Sequence, residues 1–289
     1  MRLVTYQSEN GSRIAGVNAQ GQLVDLNQAD STLPTCMKTL LAGGEKLLSQ
    51  TADAINKGTG IDSSQVKLLA PIPNPQKVMC IGLNYADHAK ESGVEPPEEP
   101  VLFNKFPTAV AAHEEDVILP SVSTQVDYEA ELVVVIGKTC KQVSETDASS
   151  YVAGYCTGHD VSARDWQLNK PGKQWLSGKT FDGFAPYGPY LVTSDEVGDP
   201  GNLKVQLRLN GETMQDSTTQ QLIFGIPELV SYLSQICTLL PGDIIFTGTP
   251  PGVGMARKPP VFLKPGDVCE VEIEKLGTLR NRFVAEERI

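Results

Sequence analysis

No run of about 20 consecutive apolar residues, the length a helix needs to cross a bilayer, occurs in the sequence, so no membrane partner is expected. Histidine is scarce: there are three, none near a cysteine pair at ligand spacing, which argues against zinc. The six cysteines, Cys36, Cys80, Cys140, Cys156, Cys237 and Cys269, include no C-x-x-C, and scattered thiols of this kind read as reduced. Basic residues are outnumbered, 24 Lys and Arg against 35 Asp and Glu, and the net charge of −11 argues against a nucleic-acid partner. The opening "MRLVTYQSENGSRIAG" lacks both the apolar core of a signal peptide and the Arg/Ser-rich character of a transit peptide. A cytoplasmic location is therefore expected, with the mitochondrial matrix as the alternative for a chain whose transit peptide lies outside this sequence.

What is present suits a globular chain rich in strands and turns. Of 289 residues, 40% are apolar, and 26 Gly and 20 Pro are spread along the length. The first 70 residues read as a small β-rich domain. In it "RLVTYQ", "RIAGVNAQ" and "QLVDLNQ" are short strands, followed by a helical stretch broken at Gly43-Gly44 and ended by Gly58. The alternating prolines of "APIPNPQK" mark a boundary, and residues 71–289 form a larger, mostly β unit. The class expected is α+β, mostly β, with a barrel-like catalytic sheet. "LLPGDIIFTG" and "LKPGDVCEVEIE" predict two similar turns entering that one sheet. "GIPELVSYLSQIC" predicts an amphipathic helix with a stripe through Ile226, Leu229, Val230, Leu233 and Ile236–Cys237.

Chemistry concentrates in a few places. In "VDYEAELVVVIG", Glu129 and Glu131 stand two apart at the mouth of an aliphatic run, so both carboxylates project to one side of a strand. Like charges so placed repel, and something must offset the repulsion. "YVAGYCTGHDVS" ends at His159 and Asp160. If the two strands are neighbours, Glu129, Glu131 and Asp160 converge at one rim. Three hard oxygen ligands without sulfur or imidazole suit Mg²⁺, with Mn²⁺ or Ca²⁺ as substitutes. The competing reading is an exposed strand end with ordinary salt bridges. Lys179, in "WLSGKTFDGFAPYGP", is a candidate for stabilising an enolate or exchanging a proton. Thr247 and Thr249 in "FTGTPPGVG" offer hydroxyls to an anion. His88 and Glu91 lie three apart on a short helical pattern, and a carboxylate beside an imidazole makes a better general base. Each of these also has a bland reading as a surface group or a tight connection.

Six segments in order, "IGLNYADHAKE", "DYEAELVVVIG", "GHDVSARDWQ", "GKTFDGFAPYGP", "PGDIIFTGTPPGVG" and "FLKPGDVCEVEIEKLGTLRN", resemble the fumarylacetoacetate hydrolase superfamily from about Lys77 to the C-terminus. Within it, "ARDWQ…KQWLSGKTFD" and "PPGVGMARKPPVFLKPGD" are most similar to the domain-containing protein 2 branch. The resemblance implies a mixed β-roll, a divalent metal, usually Mg²⁺, held by Glu129, Glu131 and Asp160, and Lys179 as the active-site lysine. It further implies that His88 and Glu91 sit on a mobile lid beginning at Asn84 and Tyr85, with Gly82 and Gly93 as hinges. Arg164, Gln167 and Thr249 would hold substrate oxygens, and the protein would be a homodimer.

A 2-oxo acid fits such a centre, because its carboxylate and 2-oxo oxygens chelate and its C3 protons become acidic. Hydrolysis of an acylpyruvate-type β-diketo acid is the first expectation, with His88 and Glu91 activating water. Oxaloacetate keto–enol tautomerisation, implied by the branch, is the alternative; decarboxylation ranks below both. A metal-binding scaffold without turnover is disfavoured, because Lys179 and the carboxylates are all present. Val94, Phe103 and Phe106 are expected to set pocket depth.

Overall fold

The computed structural model of the protein describes residues 1–93 and 95–287. Its architecture is mostly β, in mixed sheets. The centre is the strand Ala130–Ile136, whose aliphatic run is buried on both faces. Leu132, Val134 and Ile136 enter one core cluster, while Val133 and Val135 enter another behind it. A run that is apolar at every position, rather than at alternate ones, is what a strand sandwiched between two cores requires. Val152–His159 pairs antiparallel along one edge of this strand and Ile244–Phe246 along the other. Val78–Gly82 continues the sheet parallel to Ile244–Phe246, and Val101–Lys105 ends it.

On its far side the same sheet runs on through Leu191–Thr193 into the N-terminal strands Arg2–Ser8, Gly11–Val17 and Leu23–Asp25. The boundary expected at residue 70 follows the strand Lys67–Leu69, which pairs with Arg2–Ser8, and hydrogen bonding crosses between the two units. The predicted helical stretch forms as Met37–Ala42 and Gly44–Lys57, closed where Gly58 N donates to the Ala54 carbonyl. An ionic cluster pins the N-terminal hairpin: buried Asp25 accepts from Tyr6 Oη at 2.5 Å and from Arg13 Nη2 at 2.6 Å.

A second sheet holds Glu212–Thr218, Lys204–Leu209, Val268–Ile273, Gly277–Ala285 and Val117–Leu119. No sheet closes on itself among the described residues. The two Pro-Gly-Asp turns are alike, Asp243 Oδ2 accepting from Leu240 N and Asp267 Oδ2 from Lys264 N, each at 2.7 Å. They do not enter one sheet as expected, since Ile244–Phe246 lies in the large sheet and Val268–Ile273 in the second. Similar turn chemistry specifies a corner, not the sheet beyond it. The helix Ile226–Ile236 buries Ile226, Leu229, Val230 and Leu233, but Ile236 is 54% exposed. The expected stripe holds through Leu233 and at the half-buried Cys237, which packs against the core, and fails at Ile236, whose side of the last turn nothing covers among the described residues.

Candidate active site

Glu129 and Glu131 flank Ala130, the first residue of the central strand. Ala130 is in register with His159, and Asp160 N donates to the Glu129 carbonyl at 2.9 Å. This register carries Asp160 to the end of the strand where the glutamates stand. One oxygen each from Glu129, Glu131 and Asp160 lies within 4.8 Å of the others, and all three residues are buried. At that separation each pair of carboxylates repels by roughly 3 kcal/mol at an effective dielectric of 20.

Three buried cations answer part of the charge. Lys179 Nζ is 2.7 Å from Glu129 Oε2 and 3.0 Å from Asp160 Oδ2. Lys105 Nζ is 2.5 Å from Asp160 Oδ1. Arg164 Nη2 is 2.7 Å from Glu129 Oε1, while its Nε is 2.8 Å from Asp127 Oδ2. Burial by itself would raise Glu129, but Lys179 and Arg164 hold its carboxyl at about 2. Burial would lower the Lys179 ammonium, yet Asp160 and Glu129 raise it above the ordinary lysine value. Among the described residues Glu131 has no such counterion. Burial, then Asp160 and Glu129, push its carboxyl well above the usual range. Its one protein donor among the described residues is Gly248 N, 2.8 Å from Oε2.

Asp127, Glu129, Glu131 and Asp160 thus face Lys105, Arg164 and Lys179, four acids against three bases. A surplus acid, Glu131, that lacks a counterion among the described residues, within an all-oxygen donor set, fits a hard divalent cation. Glu129, Glu131 and Asp160 are the residues that would hold it.

Above the carboxylates opens a cleft of about 460 Å³, lined by His88, Glu91, Glu129, Glu131, Arg164, Gln167, Lys179 and Thr249 among polar side chains and by Phe103, Trp175 and Met255 among apolar ones. His88 Nδ1 lies 3.1 Å from Glu91 Oε2, leaving Nε2 as the other proton-handling atom. Glu91 also accepts from Gly252 N at 3.0 Å, which ties the helix Ala86–Ser92 to the loop carrying Thr249. Asn84 anchors the start of that helix, donating to the Thr247 carbonyl at 2.8 Å and accepting from Phe224 N at 2.8 Å. Leu83, just before it, has φ 55°, a left-handed conformation unusual for leucine. Lys179 reaches the acids because Gly178 has no Cβ. One placed there would come 2.4 Å from Gln167 N and 2.5 Å from the Ala163 carbonyl.

Not every sequence expectation meets at the cleft. Thr247 is buried, its hydroxyl donating to the Leu132 carbonyl at 2.9 Å. His159 is buried against Phe283 with Nε2 unpartnered, and burial, then Lys105, holds its imidazole down at about 3. Arg164 and Gln167 line the cleft, but Arg164 Nη1 is bonded to Gln167 Oε1 at 2.9 Å as well as to the acids. Phe103 lines the cleft, Phe106 is 51% exposed outside it, and Val94 lies outside the described residues.

Sequence reasoning missed Asp127, Lys105 and Gln215. Asp127 extends the Glu129, Glu131 series backward by the same two-residue step. Lys105 falls two positions after Phe103, on the inward side of its strand. Both signals were present in the period-two spacing. Gln215, which donates to Thr249 Oγ1, is placed by a strand irregularity that spacing does not reveal.

Comparison with known proteins agrees with this geometry. The family profile described as "Fumarylacetoacetate (FAA) hydrolase C-terminal" matches residues 77–284. The protein "Oxaloacetate tautomerase FAHD2A, mitochondrial" of Bos taurus is 50% identical over 288 residues, 98% of this chain and 92% of its own length. Among solved structures, fumarylacetoacetate hydrolase from psychrophilic Exiguobacterium antarcticum is similar at TM-score 0.87 and 34% identity, covering 99% of this chain and all of that one. The 5-carboxymethyl-2-hydroxymuconate delta-isomerase of Mycobacterium smegmatis is similar at TM-score 0.79 and 35% identity, covering the whole of both chains.

Proposed function

The chain belongs to the fumarylacetoacetate hydrolase family, and from that premise we propose that it is a Mg²⁺-dependent oxaloacetate keto–enol tautomerase. The observation that carries the choice of reaction is the 50% identity, over nearly the full length of both chains, to a protein named for that activity. Hydrolysis of an acylpyruvate, the first expectation from the sequence, gives way to the alternative for this reason.

Glu129, Glu131 and Asp160 would hold the divalent ion, which would supply a Lewis acid to a 2-oxo acid. Mn²⁺ and Ca²⁺ are its substitutes. The chain's own groups do the rest. Lys179, fixed by two of the carboxylates, places a positive charge where negative charge develops on the 2-oxo oxygen as the C3 proton leaves. His88, oriented by Glu91, moves that proton at C3 through Nε2. Arg164, Gln167 and Thr249 hold the remaining substrate oxygens. Phe103, Trp175 and Met255 keep water from the reacting carbons. Tautomerisation asks for this transfer at C3 and a compensating one at the 2-oxo oxygen, exchanged with the Lys179 ammonium, whereas hydrolysis also needs an ordered water and a leaving enolate.

The test is an ultraviolet assay with Mg²⁺ in which enol-oxaloacetate and acetylpyruvate are offered side by side and pyruvate release is scored separately. Faster loss of the enol signal without pyruvate is expected. Pyruvate and acetate from acetylpyruvate as the dominant products would restore the hydrolase reading, which the His88–Glu91 pair favours. Activity undiminished by EDTA would reject the metal. Homodimer assembly belongs to the same proposal, and a single monomeric species in sedimentation velocity would reject it. A reducing compartment suits the free cysteines, and the relative's name favours the mitochondrial matrix over the cytoplasm.

A further inference from the structure

Strand Glu212–Thr218 does not alternate in burial as a regular strand should. Met214 and Gln215 are both buried, at 7% and 1% exposure. The pairing explains it: Leu207 is in register with Gln215, but Arg208 with Thr213, so Met214 is an extra residue bulged out of the ladder. A bulge re-aims the side chains beside it. Here it turns a glutamine amide into the interior, under the cleft.

That amide bridges the two halves of the site. Oε1 accepts from Ala130 N at 2.8 Å, the backbone N–H between Glu129 and Glu131. Nε2 donates to the Pro250 carbonyl at 2.7 Å and to Thr249 Oγ1 at 2.9 Å. The orientation of the amide is not arbitrary, because a backbone N–H can only donate and a backbone carbonyl can only accept. Flipping it would set donor against donor and acceptor against acceptor. Nε2 must therefore face Thr249, and one lone pair of the hydroxyl is filled from the protein side. The amide's second hydrogen goes to the Pro250 carbonyl. Among the described residues no acceptor is bonded to the hydroxyl's hydrogen, and Thr249 lines the cleft next to Gly248, the donor to Glu131.

We propose that Gln215 is a positioning residue that keeps the hydrogen of the Thr249 hydroxyl free for an acceptor oxygen of the bound substrate. The site is thereby biased toward carboxylate and carbonyl oxygens at this point. The inference rests on the reading of Thr249 as a substrate-holding residue.

The experiment compares Thr249→Val, Gln215→Met and the double variant. Calorimetry measures Mn²⁺ binding to each protein alone and oxalate binding to the Mg²⁺-loaded protein, and kinetics give KM and kcat for enol-oxaloacetate. Loss of one hydrogen bond to a charged oxygen should weaken oxalate about 10- to 100-fold in each single variant. The double variant should be no worse than Thr249→Val, because Gln215 acts through that hydroxyl. Mn²⁺ affinity should stay within about twofold. Additive losses, or a fall in Mn²⁺ affinity on Gln215→Met, would mean that Gln215 only braces the strand carrying the glutamates, and would overturn the inference. If Thr249→Val leaves oxalate and KM unchanged, the reading of Thr249 itself fails. If Thr249→Val weakens oxalate while Gln215→Met does not, only the inference fails. Should Gln215→Met not fold, Gln215→Glu keeps the acceptor for Ala130 and supplies at most one donor in place of two; it is expected to reproduce the oxalate loss.

Discussion

At the scale of single residues, the acids of the site differ in what supports them, and their variants should differ too. Glu129 and Asp160 each lie within ion-pair distance of two cations, whereas among the described residues Glu131 has a backbone N–H alone. Glu131→Ala should therefore abolish divalent-ion binding in a Mn²⁺ titration, together with turnover, at little cost to the fold; turnover retained in that variant would rule out a metal mechanism. Lys179→Met acts in the opposite sense on the charge. It removes a cation from an already acid-rich cluster, so Mn²⁺ affinity should hold or rise while kcat falls by about 100-fold or more. Loss of ion binding in Lys179→Met would mean that the lysine is needed to hold the carboxylates in place. These roles were only partly legible in the sequence. The glutamate pair could be read because a strand's period of two is rigid. The pairing that brings Asp160 to them depends on a hairpin register linking distant residues, and the period-two spacing of Lys105 and Asp127 does not say which charges they meet.

At the scale of elements, local signals were read well and tertiary covering was not. The break at Gly43-Gly44 and the stop at Gly58 follow from backbone preferences, which a sequence displays directly. Which turn of a helix is covered depends on what lies opposite, so the end of Ile226–Ile236 was misjudged. Leu233→Ala should destabilise by about 2–5 kcal/mol in chemical denaturation, whereas Ile236→Ala should change stability by no more than about 0.5 kcal/mol. Equal losses would show that the exposed turn is covered in solution. The N-terminal hairpin makes a pH-dependent contribution. Burial would raise the Asp25 carboxyl, but Arg13 and Tyr6 hold it below the ordinary aspartate value. A depressed folded value means stability that is fully present above the unfolded pKa of about 4 and is lost as pH falls through the folded value. Asp25→Asn should therefore be less stable than the parent at pH 7, and the gap should narrow as the pH is lowered from about 4 toward 2. A gap that does not change across this range would show that the ion pair is not its source.

At the scale of the whole molecule, the strand beneath the site is backed by a unit none of whose described residues lines the cleft. The core behind the central strand is shared: Leu3, Ile14, Leu26, Leu40, Leu41 and Ile55 from the first 70 residues pack in one cluster with Val133, Val135, Ile244 and Phe246. The same strand that buries Val133 and Val135 there has Glu131 at its mouth. Arg2–Ser8 also covers the edge of Leu191–Thr193, which would otherwise offer unpaired backbone groups. The family profile matches residues 77–284, and composition alone puts a boundary at the proline-rich stretch just before them. Packing points the other way, because cutting there strips the back of the strand that positions Glu129 and Glu131. Residues 71–289 expressed alone should aggregate, or should melt without cooperativity and bind Mn²⁺ at least tenfold more weakly than the full chain. A soluble fragment with a sharp melt and undiminished Mn²⁺ affinity would show instead that the strand is held by its own sheet, and that the first 70 residues are an independent appendage.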